Sequence, residues 1–486
     1  MVQQYIWRGP VLFLLAFGLL LLAPGLALPQ ESQAGPSPTD LDLWTARGAI
    51  SQVTCRDNPA QSYAVYLPSH YSPDRPWPII YAFDPFARGQ TAVEEYKDAA
   101  EKYGYIVAGS NNSRNGPVAD EFSAAQAMWL DTHLRFAIDK NRVYTTGLSG
   151  GARAATAFAL YCYSCNVAGV IAHGAGYPTM QNVKQPANDH FVYYVAIGDL
   201  DFNFPEIMAL RKKKEEAGAP FKVKIYPGPH QWAPPEIVED AVEWLELKAM
   251  QAGTEKVDSA FVNQEFEKTQ AEAAQAEQRG DALTEYYVSR SLVEDFKGLE
   301  DTGPFTAKLA EVKRSKAFKN AERAEQRQID DQNTLTATAA GELAQLGTAE
   351  VNAQGGLGHQ IVTAMLDLRR RANSNSSDHT VYGRAFNQLW IQGLEAGQDA
   401  FREGLLSQAI AYFEVMAEAS PDQAWPMLLL AEARTRAGDK KAALKAIEQA
   451  VQRGLKHAQT LTQDPELQPL ASDPEFQKIV HGLNMQ

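Results

Sequence analysis

Residues 142–153, Arg-Val-Tyr-Thr-Thr-Gly-Leu-Ser-Gly-Gly-Ala-Arg, carry the strongest chemical signal in this chain. A β-branched and aromatic run, Val143 to Thr146, meets Gly147-Leu148-Ser149-Gly150-Gly151, and Ala-rich sequence with helical character follows. The pattern predicts a strand, a sharp turn and a helix, with Ser149 at the apex. Glycines two residues either side of the serine let the backbone hold its hydroxyl in a strained, exposed position. Serine is a weak nucleophile, so it needs a base, and the base needs an orienting carboxylate. The apolar run Phe191–Ile197 is followed by Gly198-Asp199-Leu200-Asp201-Phe202-Asn203. The run Phe221–Tyr226 is followed by Pro227-Gly228-Pro229-His230-Gln231-Trp232. A serine, an aspartate and a histidine in that order, each just past a strand, suit nucleophilic acyl transfer.

The elements that must position these groups are legible between about residues 50 and 250. Strands are predicted at Ser62–Leu67, Trp77–Phe83, Tyr105–Gly109, Arg142–Thr146, Gly169–Ala172, Phe191–Ile197 and Phe221–Tyr226. Helices are predicted at Thr91–Lys102, Glu121–Phe136, Gly151–Cys162 and Pro234–Ala249. Near-continuously apolar strands alternating with helices imply an α/β fold, a mostly parallel sheet covered on both faces.

Over this span the chain resembles the α/β-hydrolase superfamily. Its serine turn is similar to that of esterases near the polyhydroxyalkanoate depolymerase, feruloyl esterase and dienelactone hydrolase groups. The resemblance implies Ser149 as nucleophile and His230 as base. It places the acid three residues after the glycine that ends a strand, which maps to Asp201 from Gly198. Asp199 is the rival, with turn capping as its other role. His173, ending the strand before, reads as shaping the pocket. For the oxyanion, one donor is the Gly150 backbone N–H. The second belongs on the loop Asp84-Pro85-Phe86-Ala87-Arg88. Proline has no N–H, so Phe86 is the first choice and Ala87 the fallback. This loop departs from the His-Gly-Gly-Gly form of lipases. The chemistry requires no metal or organic cofactor.

After residue 250 strand signals vanish. Residues 253–370 are rich in Ala, Glu, Gln, Lys and Arg and predict long helices with solvated faces. Residues 353–358 and a stretch assigned to 371–387 read as linkers. Beyond them Gly404 and Gly438 lie 34 apart, as do Ala409 and Ala443, Phe413 and Ile447, Met416 and Ala450, and Gly397 and Ala431. Over roughly 388–456 this resembles the tetratricopeptide family, whose period is 34. A capping helix in 464–480 would complete an all-α module over 388–486. That module is expected to bind a protein or peptide, or to brace the enzyme.

The N-terminus reads as a targeting segment. Arg8 precedes the apolar run Val11–Leu22, and Gly25 and Ala27 suit a cleavage site after residue 27. Residues 28–48 are a flexible lead-in to a hydrolase domain at 49–252. The protein is therefore expected to be secreted or periplasmic, with membrane attachment only if the segment stays uncleaved. Export makes a disulfide plausible between two of Cys55, Cys162 and Cys165. A net charge of −14 argues against nucleic acid as a partner. The sequence thus points to an exported serine hydrolase, an esterase in the first instance, with a small-molecule ester or peptide as substrate. The alternatives are a serine peptidase of the same fold and a non-catalytic scaffold serving the repeats.

Overall fold

The computed structural model describes residues 46–116, 118–178, 189–347 and 355–485. The predicted signal segment and nearly all of the lead-in lie outside them. Among the described residues, eight strands form one sheet: β1 (Ile50–Thr54), β2 (Ser62–Tyr66), β3 (Trp77–Phe83), β4 (Ile106–Ser110), β5 (Ile138–Leu148), β6 (Val167–His173), β7 (Val192–Gly198) and β8 (Phe221–Tyr226). Their spatial order is β1-β2-β4-β3-β5-β6-β7-β8. Strand β2 pairs antiparallel with both β1 and β4; from β4 to β8 every pairing is parallel. Strands β3 and β4 are buried along their whole length, as strands covered on both faces must be.

Helices α1 (Gly89–Tyr103), α2 (Val118–Arg135), α3 (Gly150–Tyr161), α4 (Phe204–Glu216) and α5 (Pro235–Ala252) supply that cover. Ala92, Val93 and Tyr96 of α1 join Val242, Trp244 and Leu245 of α5 in the core on one face. Met128 of α2, Phe158 of α3 and Ile207 of α4 pack into the core on the other. Strand β1 and helix α4 escaped the sequence reading. Helix α4 carries the run Arg-Lys-Lys-Lys-Glu-Glu, which hides its short apolar face. The expected parallel sheet with helices on both faces is the observed one. The serine turn follows β5, the aspartate loop β7 and the histidine loop β8, each at the carboxyl end of its strand.

The rest of the described chain is helical: α6 (Ser259–Arg279), α7 (Ala282–Glu294), α8 (Gly303–Arg314), α9 (Lys316–Leu346), α10 (Gly355–Ala372), α11 (His379–Arg402), α12 (Leu406–Ala419), α13 (Trp425–Arg436), α14 (Lys440–Gln452), α15 (Ala458–Thr462) and α16 (Pro474–Asn484). Two of the linker readings need correction. Gly355–Gly358 begins α10, and α11 starts at His379, well inside the segment 371–387. Only about six residues separate the two helices, because Val381, Ala385 and Leu389 extend the buried stripe of α11 backwards. The offset of 34 is visible in the packing. Gly404 and Gly438 both adopt positive φ after their helices. Ala409, Ala443, Phe413, Ile447, Met416 and Ala450 are all buried. Two helical hairpins, α11–α12 and α13–α14, therefore share one core with the C-terminal α16.

The helical portion is seated on the sheet's carboxyl edge. Buried Gln332 of α9 donates to Phe202 O at 3.0 Å and to Gln388 Oε1 at 3.0 Å. Asn387 Nδ2 reaches Leu200 O at 3.4 Å. The buried Arg384 guanidinium stands 4.2 Å from the Phe204 ring centre. Arg211 of α4 is ion-paired with Glu325 of α9. Helix α11 thus lies over the loop that carries both candidate aspartates.

Candidate active site

Ser149 sits between β5 and α3 with φ 54° and ψ −121°, a conformation that costs a non-glycine residue on the order of 1–3 kcal/mol. Its N–H donates to His173 O at 2.9 Å, and its own carbonyl accepts from Ala152 and Arg153. The flanking glycines are required by close approach. A Cβ on Gly147 would stand 2.3 Å from the Gly151 carbonyl, and one on Gly151 would stand 2.1 Å from Phe83 O. Strand, turn and helix can meet this closely only without side chains at those positions.

The aspartate and histidine loops converge beside the turn. Asp201 is completely buried. Its Oδ2 accepts from His230 Nδ1 at 2.8 Å and its Oδ1 from Asn203 N at 2.8 Å. Asp199 instead accepts the Gly228 N–H at 2.9 Å, so it ties the aspartate loop to the histidine loop. The two loops are further joined by Leu200 N to Gly228 O at 3.0 Å. His230 Nε2 is buried and has no hydrogen-bond partner among the described residues, which leaves it as an acceptor for a proton. The Phe202 ring lies against the imidazole, 4.3 Å between centres, and holds its plane.

His173 lines neither of the cavities at Ser149, contrary to the pocket-shaping role read from sequence. It is wholly buried, its Nε2 2.7 Å from Tyr96 Oη, and burial holds its imidazole down at about 3. It is a neutral core residue whose carbonyl supports the turn from below.

The oxyanion assignment to Phe86 also needs correction. The Phe86 N–H donates to Asp84 Oδ1 at 2.9 Å, and the Ala87 N–H to Asp84 O at 3.1 Å. Asp84 is buried and forms a bidentate pair with Arg88, at 2.9 and 2.8 Å, so both amides of this loop are engaged locally. Gly150, as first residue of α3, has no acceptor within its helix. What the sequence reading missed is Asn115. Its side chain lies over Gly150, so that a Cβ there would fall 1.8 Å from Asn115 Oδ1. That oxygen is buried without a donor among the described residues. The clue in the sequence was an Asn-Gly pair a few residues beyond the carboxyl end of β4, where sites on such sheets form.

Two cavities open on Ser149. One, of about 580 Å³, has a mixed lining and is the more polar of the two, with Arg153, Glu206, Gln388 and Gln392 beside Pro178, Phe202 and Ile391. Burial raises the carboxyl of Glu121 in its wall to about 7. The other, of about 690 Å³, contains His230 and is largely apolar, with Phe86, Trp232, Trp390, Phe401 and Trp425 in its walls. Ser149 and Asn115 border both, as do Ile391 and Glu395 of α11. The sequence reading treated the C-terminal helices as a separate module; the structure makes α11 the roof of the site. Among the described residues no cluster of three His, Cys, Asp or Glu side chains is arranged to hold a metal ion. Cys162 and Cys165 are joined as a disulfide, and Cys55 is free and buried.

Neither a family model nor a curated protein matches the sequence. Solved structures do. An S-formylglutathione hydrolase from Staphylococcus aureus is 14% identical, aligned over 40% of this chain and 98% of its own, with a TM-score of 0.34. A ferulic acid esterase is 15% identical over 40% of this chain and 96% of its own, also at 0.34. Esterase 2 of Thermogutta terrifontis is 13% identical over 43% of this chain and 97% of its own, at 0.33.

Proposed function

We propose that this protein is an exported serine hydrolase that cleaves carboxylic esters through Ser149, His230 and Asp201. One observation carries the reading. A serine held at a strained turn opens on the same cavity as a histidine whose Nδ1 is tied to a buried carboxylate and whose Nε2 is unpartnered. A purely structural histidine would have both ring nitrogens satisfied, and a scaffold has no use for backbone strain at one serine.

In the proposed cycle His230 Nε2 takes the proton from Ser149 Oγ as the oxygen bonds to the ester carbonyl carbon. Asp201 keeps the Nδ1 proton in place and stabilises the imidazolium. The tetrahedral oxyanion is met by the Gly150 N–H and by the Asn115 carboxamide. Amide oxygen and nitrogen are interchangeable in shape, and turning this one presents an N–H₂ where an orphaned oxygen now stands. The carbon–oxygen bond to the alcohol breaks as His230 returns the proton to that oxygen. Water then attacks the acyl-enzyme by the same route, releasing the acid and restoring Ser149. Export rests on the residue 1–27 pattern.

A fluorophosphonate probe tests the reading. It should label the folded protein at Ser149 and fail to label Ser149→Ala. Equal labelling of the two proteins, or none of either, would remove the hydrolase assignment.

A further inference from the structure

The two cavities that meet at Ser149 differ in chemistry, and only one contains the histidine. His230 lies in the wall of the apolar cavity and not in that of the polar one. This asymmetry has a mechanistic consequence, which rests on the hydrolase reading above. The group that departs from the tetrahedral intermediate must receive its proton from His230 Nε2. A general acid acts only within hydrogen-bond reach of the atom it protonates. The leaving alcohol therefore belongs on the histidine side and the acyl group on the other.

We propose that the helical hairpins α11–α12 and α13–α14 are the binding wall for the substrate's leaving group. The substrate is then an ester of a large apolar or aromatic alcohol with a polar acid. The apolar cavity runs without interruption from Ser149 and His230 to Phe413 of α12 and Trp425 and Leu429 of α13. Trp390 and Trp425, one from each hairpin, stand 6.0 Å apart between ring centres, and Trp425 is 39% exposed. Phe86, released from an oxyanion role, is 59% exposed and lines the same cavity. Exposed aromatic surface of this kind, in a space of about 690 Å³, matches a small-molecule site. The opposite cavity offers Arg153 paired with Glu206, together with Gln388 and Gln392. These groups can hydrogen-bond an acyl group bearing hydroxyl or carbonyl substituents, which the apolar cavity satisfies less well. The repeats thus serve the enzyme's own substrate rather than a protein partner.

The test uses the full-length protein and two ester series followed by titration of the released acid. The first joins acetic acid to methanol, butanol, hexanol and octanol, alcohols of similar leaving ability, so that binding decides the trend. The second lengthens the acyl group from acetate to octanoate on methanol. We expect kcat/KM to rise about 10- to 100-fold from methyl to octyl acetate and to stay level or fall along the acyl series. Trp425→Ala and Trp390→Ala should each lower the octyl-to-methyl ratio about fivefold or more, by truncating the aromatic wall. The ratio is taken on one sample, so a partly misfolded variant does not disturb it. A rise along the acyl series instead, or flat behaviour in both, overturns the inference while the fluorophosphonate labelling still upholds the hydrolase. Failure to label Ser149 overturns both.

Discussion

Replacing Asp201 by Asn should disable the site by reversing a hydrogen bond rather than by removing one. Asp201 Oδ1 accepts the Asn203 N–H at 2.8 Å and Oδ2 accepts His230 Nδ1 at 2.8 Å. An Asn side chain must keep its one oxygen toward the Asn203 N–H, since two donors cannot face each other there. Its NH₂ then points at His230, whose Nδ1 has to become the acceptor. The imidazole proton moves to Nε2, and Ser149 meets a donor where it needs a base. The loss expected for this wrong tautomer is about 10,000-fold in kcat, equivalent to about 5.5 kcal/mol of transition-state stabilisation. Asp199→Asn is the internal control. Asp199 Oδ1 only accepts the Gly228 N–H, and an amide oxygen can do the same. Its expected cost is about 1 kcal/mol, a few-fold in rate. Both variants would be assayed by steady-state hydrolysis of p-nitrophenyl acetate, with thermal unfolding to verify the fold. The reasoning fails if Asp201→Asn keeps more than a tenth of the activity, or if Asp199→Asn is the more damaging change.

Four other outcomes can be checked. Asn115→Ala should lower kcat about 100- to 1,000-fold with little change in KM, and Asn115→Asp, which keeps the shape without the donor, should do the same. A loss below about threefold would return the second oxyanion donor to the loop at 84–88. Gly151→Ala should destabilise the fold, because its Cβ would lie 2.1 Å from a backbone oxygen of β3. Gly174→Ala would crowd Asp201 Oδ2 and His230 Nδ1, at 2.8 and 2.9 Å, and should cost far more activity than melting temperature; the reverse ranking by calorimetry and kinetics would count against the geometry. Buried His173 is held near 3 by desolvation, so below about pH 6.5 the unfolded chain binds a proton that the folded chain refuses. Its contribution is present above that pH and is lost as pH falls toward 3. Urea unfolding should show a steeper decline between pH 6.5 and 4 for the wild type than for His173→Gln, and parallel curves would exclude this cause.

The residues of the proposed triad were legible because each sits where a local pattern ends. Gly147 to Gly151 announce a turn that only a sequence with glycines either side can make, and Asp201 and His230 follow unbroken apolar runs. Strand, turn and helix at β5–α3, and the parallel sheet around it, follow from residue types over a few turns of chain. The 34-residue offset between Gly404 and Gly438 likewise reports a hairpin pitch that is local. What depended on residues far apart was out of reach. Nothing near Asn115 in the chain says that its carboxamide covers Gly150. The capture of the Phe86 N–H by Asp84, two residues away, is local, but it depends on a turn geometry that residue types do not specify. That α11 roofs the site is settled by contacts across more than a hundred residues, such as Arg384 to Phe204 and Asn387 to Leu200. The chain alone therefore determined the proposed triad and the sheet that bears it. The surroundings of Ser149, two unlike cavities under a helical roof, exist only once distant segments pack, and it is those surroundings that select a substrate.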